Sequence, residues 1–200
     1  MTKKNKDAST EEKIIEAARK VFTLKGYAAT RTRDIAKEAG LNLALLNYYF
    51  RSKEKLFEIV MAEKVGQLFG IIAPVVNNEA TLLEEKVAFI ADAYIRILSQ
   101  NPGLPLFVLS EIRNNPEHFG NRVQAGKLLT ESVLVKQLKE KKPDMNPLHF
   151  ILNILSMCIF PFIAQPVLVA SNVFTATEFE LFAEERKTMI VTWFKAMIEA

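Results

Sequence analysis

Between Thr30 and Phe57 the stretch TRTRDIAKEAGLNLALLNYYFRSKEKLF gathers side chains suited to recognising a polyanion. Arg31, Arg33, Lys37, Arg51, Lys53 and Lys55 are cations of the kind that approach phosphates, with Thr30 and Thr32 beside them. Asn42, Leu43, Ala44, Asn47, Tyr48 and Tyr49 stand among these charges, and such residues on the outward face of a helix suit a DNA major groove. Lys53 follows Ser52, a capping residue, so a phosphate there would meet an ammonium and free helix amides together. Catalytic chemistry finds no such concentration. Cys158 has no histidine at a suggestive spacing, and no glycine-rich phosphate loop occurs. His118 and His149 are too isolated for a metal site. No catalytic residue, metal or cofactor is expected, and the chain does not read as an enzyme.

The elements that must position these groups are helices. Thr32 to Ala39 has helical composition, with Gly40 as the left-handed residue that ends it. Asn42 can cap a second helix running to the aromatics Tyr48, Tyr49 and Phe50. Ile35, Ala36 and Ala39 form one apolar stripe, and Leu41, Leu45 and Leu46 can face it across the turn, which makes a helix-turn-helix. An ordinary helical hairpin with a solvated basic face shows the same pattern. A helix from Ser9 or Thr10, with Ser9 and Glu12 spaced as a capping box, presents Ile14, Ala18, Val21 and Phe22 as a brace and stops at Gly26. Residues 1–9 read as a disordered basic arm.

Gly26-Tyr27, Thr30, Asp34-Ile35-Ala36, Ala39-Gly40-Leu41, Tyr49-Phe50 and Ser52-Lys53-Glu54-Lys55-Leu56-Phe57 together resemble the DNA-binding domain of the tetracycline-repressor (TetR) family of bacterial regulators. The likeness runs in order over residues 10–57. It implies a ligand-responsive regulator, most often a repressor, that binds a palindromic operator on double-stranded DNA as a homodimer. Four positions depart from the family pattern. Arg31 stands where Ser or Thr usually opens the second helix, so Thr30 or Thr32 is expected to cap it. Ala44 replaces a common Gly, Asn47 replaces a common backbone-contacting Tyr, and Tyr49 occupies a His or Tyr position.

The charge distribution agrees with that division of labour. Residues 1–57 hold 13 Lys plus Arg against 7 Asp plus Glu, whereas the remainder holds 13 against 16, so the basic part carries the DNA candidate. Sparse Gly and Pro with a half-apolar composition favour an all-α protein: an N-terminal three-helix helix-turn-helix domain, 10–57, and a helical ligand-binding and dimerisation domain, 58–200. A single cysteine and a lysine-rich start without an apolar core point to the cytoplasm.

Ser52 opens a long helix whose apolar positions Leu56, Phe57, Val60, Met61, Val65, Leu68 and Phe69 continue past the basic domain until Pro74 and Asn77-Asn78. Further helices are expected over 81–100 and from about Pro116 to Lys142, with a short segment between them. Met145 to Thr177 contains no Asp, Glu, Lys or Arg in 33 residues. Its length would allow a membrane span of about 20 residues. Asn153, Ser156, Gln165, Pro161 and Pro166 interrupt it, and an amphipathic helix follows, so no membrane partner is expected. In the family the last two helices pair with their copies, which implies a dimer interface at Ile151, Leu155, Phe182, Ile190, Trp193 and Met197. The resemblance also implies a pocket for a small apolar ligand. Phe89, Tyr94, Phe107, Phe119, Met157 and Phe160 could line it, with Glu111 to orient the ligand; each aromatic equally fits plain core. A helical interaction protein without sequence-specific DNA binding is the other reading of the whole chain.

Overall fold

The computed structural model describes residues 3–199, with side chains from Ser9 onward, and every regular element among the described residues is an α-helix. The chain divides into two compact units, Met1–Lys64 and Val65–Ala200. In the first unit, α1 (Lys3–Ala29) is interrupted at Gly26, whose φ of 71° is outside the helical range. It packs on α2 (Thr32–Glu38), which in turn packs on α3 (Leu43–Tyr49). The helix starts at Lys3, so Ser9 lies inside it and forms no capping box; no Pro or Gly in that stretch breaks the helix. Met1 and Thr2, where the expected basic arm begins, lie outside the described residues.

Ile14, Ala18, Phe22, Ile35, Ala36, Leu46, Phe50, Leu56 and Val60 are buried and form this unit's core. Phe22, Tyr27 and Phe57 add an aromatic cluster, with Tyr27 and Phe57 centroids 4.6 Å apart. Arg19 binds both carboxylate oxygens of Glu63 at 2.7 and 3.0 Å and also pairs with Glu16. This fork holds α1 against α4 (Lys53–Val76). The division between units falls within α4, because Val60 and Met61 still belong to the first core.

The second unit is built around α5 (Leu83–Gln100), whose buried stripe Leu83, Val87, Ile90, Ala91, Tyr94 and Leu98 recurs at helical spacing. It packs on α9 (Val133–Lys141), α10 (Pro147–Ala170) and α11 (Ala176–Glu199). Phe150 meets Phe194 and Phe162 meets Phe179 edge-on where α10 crosses α11. Lys86 is completely buried and donates to Gln137 Oε1 at 2.7 Å, while Gln137 donates to the Thr81 carbonyl at 3.1 Å. Burial lowers the Lys86 pKa.

Between α5 and α9 lie α6 (Leu104–Asn114), α7 (Pro116–Arg122) and α8 (Ala125–Thr130). The single helix expected from Pro116 to Lys142 is thus three. Gln124 adopts a left-handed φ of 51° after α7, and Ser132 caps α9 by accepting from the Val135 amide at 3.4 Å. The prolines expected to interrupt α10 do not break it. Pro161 has no amide to give the Met157 carbonyl, and Arg186 supplies the missing donors from Nε and Nη2 at 3.2 and 2.8 Å. By length and composition α4 and α10 could cross a membrane. In α10, however, Phe150, Ile151, Ile154, Cys158 and Phe162 are occupied by the core of this unit. Burial pushes the Cys158 thiol up to about 12, so it stays protonated and inert.

Candidate nucleic-acid interface and apolar cavity

Asn42 caps α3 by accepting the Leu45 amide at 2.7 Å, and Gly40, at φ 68°, provides the turn that α2 needs to reach it. With Leu46 fully buried against α2, the opposite side of α3 faces outward. Leu43, Ala44, Asn47 and Tyr48 share that exposed side at i, i+1, i+4 and i+5; Tyr48 is 78% exposed. Tyr49 is half-buried, with the Tyr48 ring edge-on 5.2 Å away. Around the helix, Arg33, Lys37 and Arg51 are exposed and have no carboxylate partner among the described residues. Lys25 is paired with Asp34, Lys20 with Glu38, and Lys55 with Glu58.

Three residues expected at this surface have other tasks. Thr30 is buried, its hydroxyl donating to the Gly26 carbonyl at 2.6 Å, and it neither caps α2 nor reaches solvent. Thr32 does not cap the helix either, since it lies within the first turn; the Asp34 carboxylate does so by accepting the Arg31 amide at 3.1 Å. That amide, with Lys25 in support, lowers the Asp34 pKa. Lys53 points inward. Its ammonium donates to the carbonyls of Tyr27 and Thr30 at 3.0 and 3.1 Å and lies 4.0 Å from the Tyr27 ring centroid. The fully helical pattern around Lys53 contains no sign of that destination, because the acceptors come from the irregular end of α1. Tyr27 also donates to Glu54 at 2.7 Å; burial and this carboxylate push its phenol up to about 12. Arg31 and Asn42 remain exposed, Asn42 with its side-chain oxygen committed to the cap.

The second unit holds a partly open cavity of about 390 Å³, within the range of small-molecule sites, about 300–1,000 Å³. Helical phase selects its lining. On α5 it is Ile90, Tyr94 and Leu98; on α6 it is Leu104, Val108 and Ile112; on α10 it is Ile151, Leu155 and Ile159. Leu68, Phe69 and Ile72 of α4 and Pro116, Phe119, Val123, Leu128 and Leu129 from the α7–α8 region add to the wall. Of the expected ligand residues, Tyr94 and Phe119 line this cavity, whereas the other five are out of phase with it. Phe89 and Phe160 face outward, the latter 64% exposed, and Phe107 is buried core. Glu111 accepts from Asn115 Nδ2, and Met157 engages Arg186 through its carbonyl. The contribution of α7 and α8 was hidden in a sequence that read as one helix.

Three of the six residues expected at a subunit interface face this chain's own interior. Ile190 is completely buried within its own chain, and Ile151 and Leu155 face the cavity. Phe182 and Trp193 hold the half-buried Arg186 guanidinium between them, and Met197 Sδ accepts from Asn153 Nδ2 at 3.5 Å. The apolar side chains left in solvent are Leu152, Phe160 and Val167 on α10 and Leu181 and Met189 on α11.

Residues 14–60 match the family model of bacterial regulatory proteins, tetR family. Almost end to end, the chain is 25% identical to the "probable HTH-type transcriptional regulator YttP" of Bacillus subtilis, over 94% of this chain and 95% of that protein. A shorter match, 36% identical, relates 44% of this chain to 42% of the HTH-type transcriptional repressor NicS of Pseudomonas putida. A TetR transcription regulator from Haloarcula marismortui superposes with a TM-score of 0.64 at 19% identity, over 94% of this chain and 98% of that one. FadR of Bacillus subtilis, crystallised in complex with stearoyl-CoA, superposes with a TM-score of 0.57 at 18% identity, over 90% and 97%. At such identities the structural likeness establishes the fold.

Proposed function

Because this chain belongs to the tetR family of bacterial regulatory proteins, we propose that it is a cytoplasmic transcriptional repressor that binds a palindromic operator as a homodimer and is released by a small apolar ligand. The observation that carries the reading is the outward face of α3: Leu43, Ala44, Asn47 and Tyr48 project together amid the unpaired cations Arg33, Lys37 and Arg51. Such a helix reads base edges in a major groove while the cations hold the flanking phosphates. Residues 10–57 act as the DNA-reading head and 58–200 as the body. Leu152, Phe160, Val167, Leu181 and Met189 form the dimer face, since they are the large apolar side chains that α10 and α11 leave uncovered.

Release works through α4, which carries Leu56 and Val60 in the first core and Leu68, Phe69 and Ile72 in the cavity wall. A ligand that binds one setting of this helix better than another shifts DNA affinity by its differential binding. A coupling of about 1–3 kcal/mol corresponds to about a 5- to 150-fold change. Stearoyl-CoA in the FadR complex is one precedent for a ligand with a long apolar chain on this fold. The test is binding to labelled DNA from upstream of the protein's own gene, beside a scrambled duplex, at several salt concentrations. Selective binding that weakens steeply with salt, and that Asn47→Ala weakens by about 1–3 kcal/mol, supports the reading. Equal weak binding to both duplexes, unaffected by Asn47→Ala, refutes it.

A further inference from the structure

The lining residues of the cavity carry one polar side-chain atom among them, the hydroxyl of Tyr94. Tyr94 is 7% exposed, and no hydrogen bond from that hydroxyl occurs among the described residues. Yet no sealed side-chain oxygen or nitrogen lacks a partner among them. The hydroxyl therefore keeps some accessible surface, and it belongs to a residue of the cavity wall. Burial raises its pKa, which keeps it a proton donor.

What satisfies such a donor is constrained by its surroundings. A buried water needs about two to four polar partners, and the side chains of this wall offer it one. A carboxylate or phosphate fares worse. The lining contains no Lys, Arg or His, and an unpaired ion in apolar surroundings is strongly disfavoured. A neutral oxygen with an apolar body around it matches a lone donor in an apolar wall. An amphiphile with an ionic head would have to keep that head in solvent, near Ile112 and Pro116, where the lining is exposed, and would offer Tyr94 only its tail.

We propose that the cavity takes an uncharged ligand with one hydrogen-bonding oxygen set within an apolar body, and that the Tyr94 hydroxyl donates to that oxygen. This rests on the reading of the cavity as the ligand site and specifies which class of ligand enters it. The probe is undecan-6-one, whose mid-chain carbonyl must be buried with its alkyl arms; ionised undecanoate at pH 8 is its charged counterpart. Each displaces the neutral fluorophore N-phenyl-1-naphthylamine from the full-length protein, its Tyr94→Phe variant and a cavity-filling Leu128→Trp variant, all first checked for an unchanged helical spectrum. Tyr94→Phe is expected to weaken the ketone about 3- to 10-fold while leaving the fluorophore within about 2-fold, the span of one neutral hydrogen bond. Undecanoate is expected to bind more weakly than the ketone and to ignore the substitution. Equal ketone affinity in wild type and Tyr94→Phe, with Leu128→Trp blocking both, overturns the proposal alone. Tighter binding of undecanoate than of the ketone overturns it as well. If neither ketone nor fluorophore binds, or if Leu128→Trp leaves their binding intact, the ligand site itself is elsewhere and both readings fall.

Discussion

Lys53→Met separates a structural role from a DNA-contacting one. The Lys53 ammonium makes two charge-assisted hydrogen bonds to main-chain carbonyls and one cation–π contact, all within the first unit. A hydrogen bond involving a charged group contributes about 1.5–3 kcal/mol, and an exposed cation–π contact about 0.5–1 kcal/mol. Lys53 is half-buried, so solvent screening takes these to the lower end. The Tyr27 carbonyl keeps the Thr30 amide as a partner at 3.3 Å, which limits the penalty, and methionine preserves the packing of the stem. The net expected loss is about 2 kcal/mol, read as a fall of about 4–8 °C in the midpoint of a chain of this length. Urea unfolding gives the free energy directly. DNA affinity is then measured well below the transition as a function of salt. A lysine that neutralised a phosphate would take about one unit from the slope of log K against log salt when removed. The structure predicts lower stability with the slope unchanged. An unchanged midpoint with a slope reduced by about one unit would refute the inward assignment and restore Lys53 to the DNA surface.

Phe160→Glu places a charge at the centre of the uncovered face of α10 and is expected to convert the proposed dimer to monomer in sedimentation velocity, with the helical spectrum retained because Phe160 is 64% exposed in its own chain. Acid should destabilise the protein through Asp34 and Glu178. The Arg31 amide at Asp34 and the Thr175 amide and hydroxyl at Glu178 hold both pKa values below their ordinary range, so their contribution is complete above about pH 5 and disappears as pH falls through the folded-state values. Asp34→Asn should flatten the low-pH part of a stability-against-pH curve measured by urea unfolding, and an unchanged curve would refute that assignment.

Features that depend on neighbours in the chain were legible without a structure. Gly40 ends α2, Asn42 and Ser52 cap the helices that follow them, and the phase of Leu46 decides that Leu43, Ala44, Asn47 and Tyr48 face outward. Each is a matter of local backbone conformation or of a 3.6-residue period, so the outward side of α3 could be read almost residue by residue. Segment ends were less secure. Nothing marks Gln124 as left-handed, and Pro161 looks like a breaker until Arg186, 25 positions later, donates to the carbonyl that the proline leaves free.

Tertiary structure decided where long side chains and apolar faces go when several destinations are chemically equivalent. A lysine flanking a DNA-reading helix serves a phosphate or a main-chain carbonyl equally well by type. Only the position of the end of α1 sends Lys53 to Tyr27 and Thr30. On α10 nearly every position is apolar, so composition cannot separate cavity, core and subunit interface. The rotation of that helix against α5 and α11 assigns Leu155 to the cavity, Ile154 to the core and Phe160 to the surface. A periodic pattern specifies a buried face only when polar residues mark the opposite one, and Met145 to Thr177 has too few to mark it.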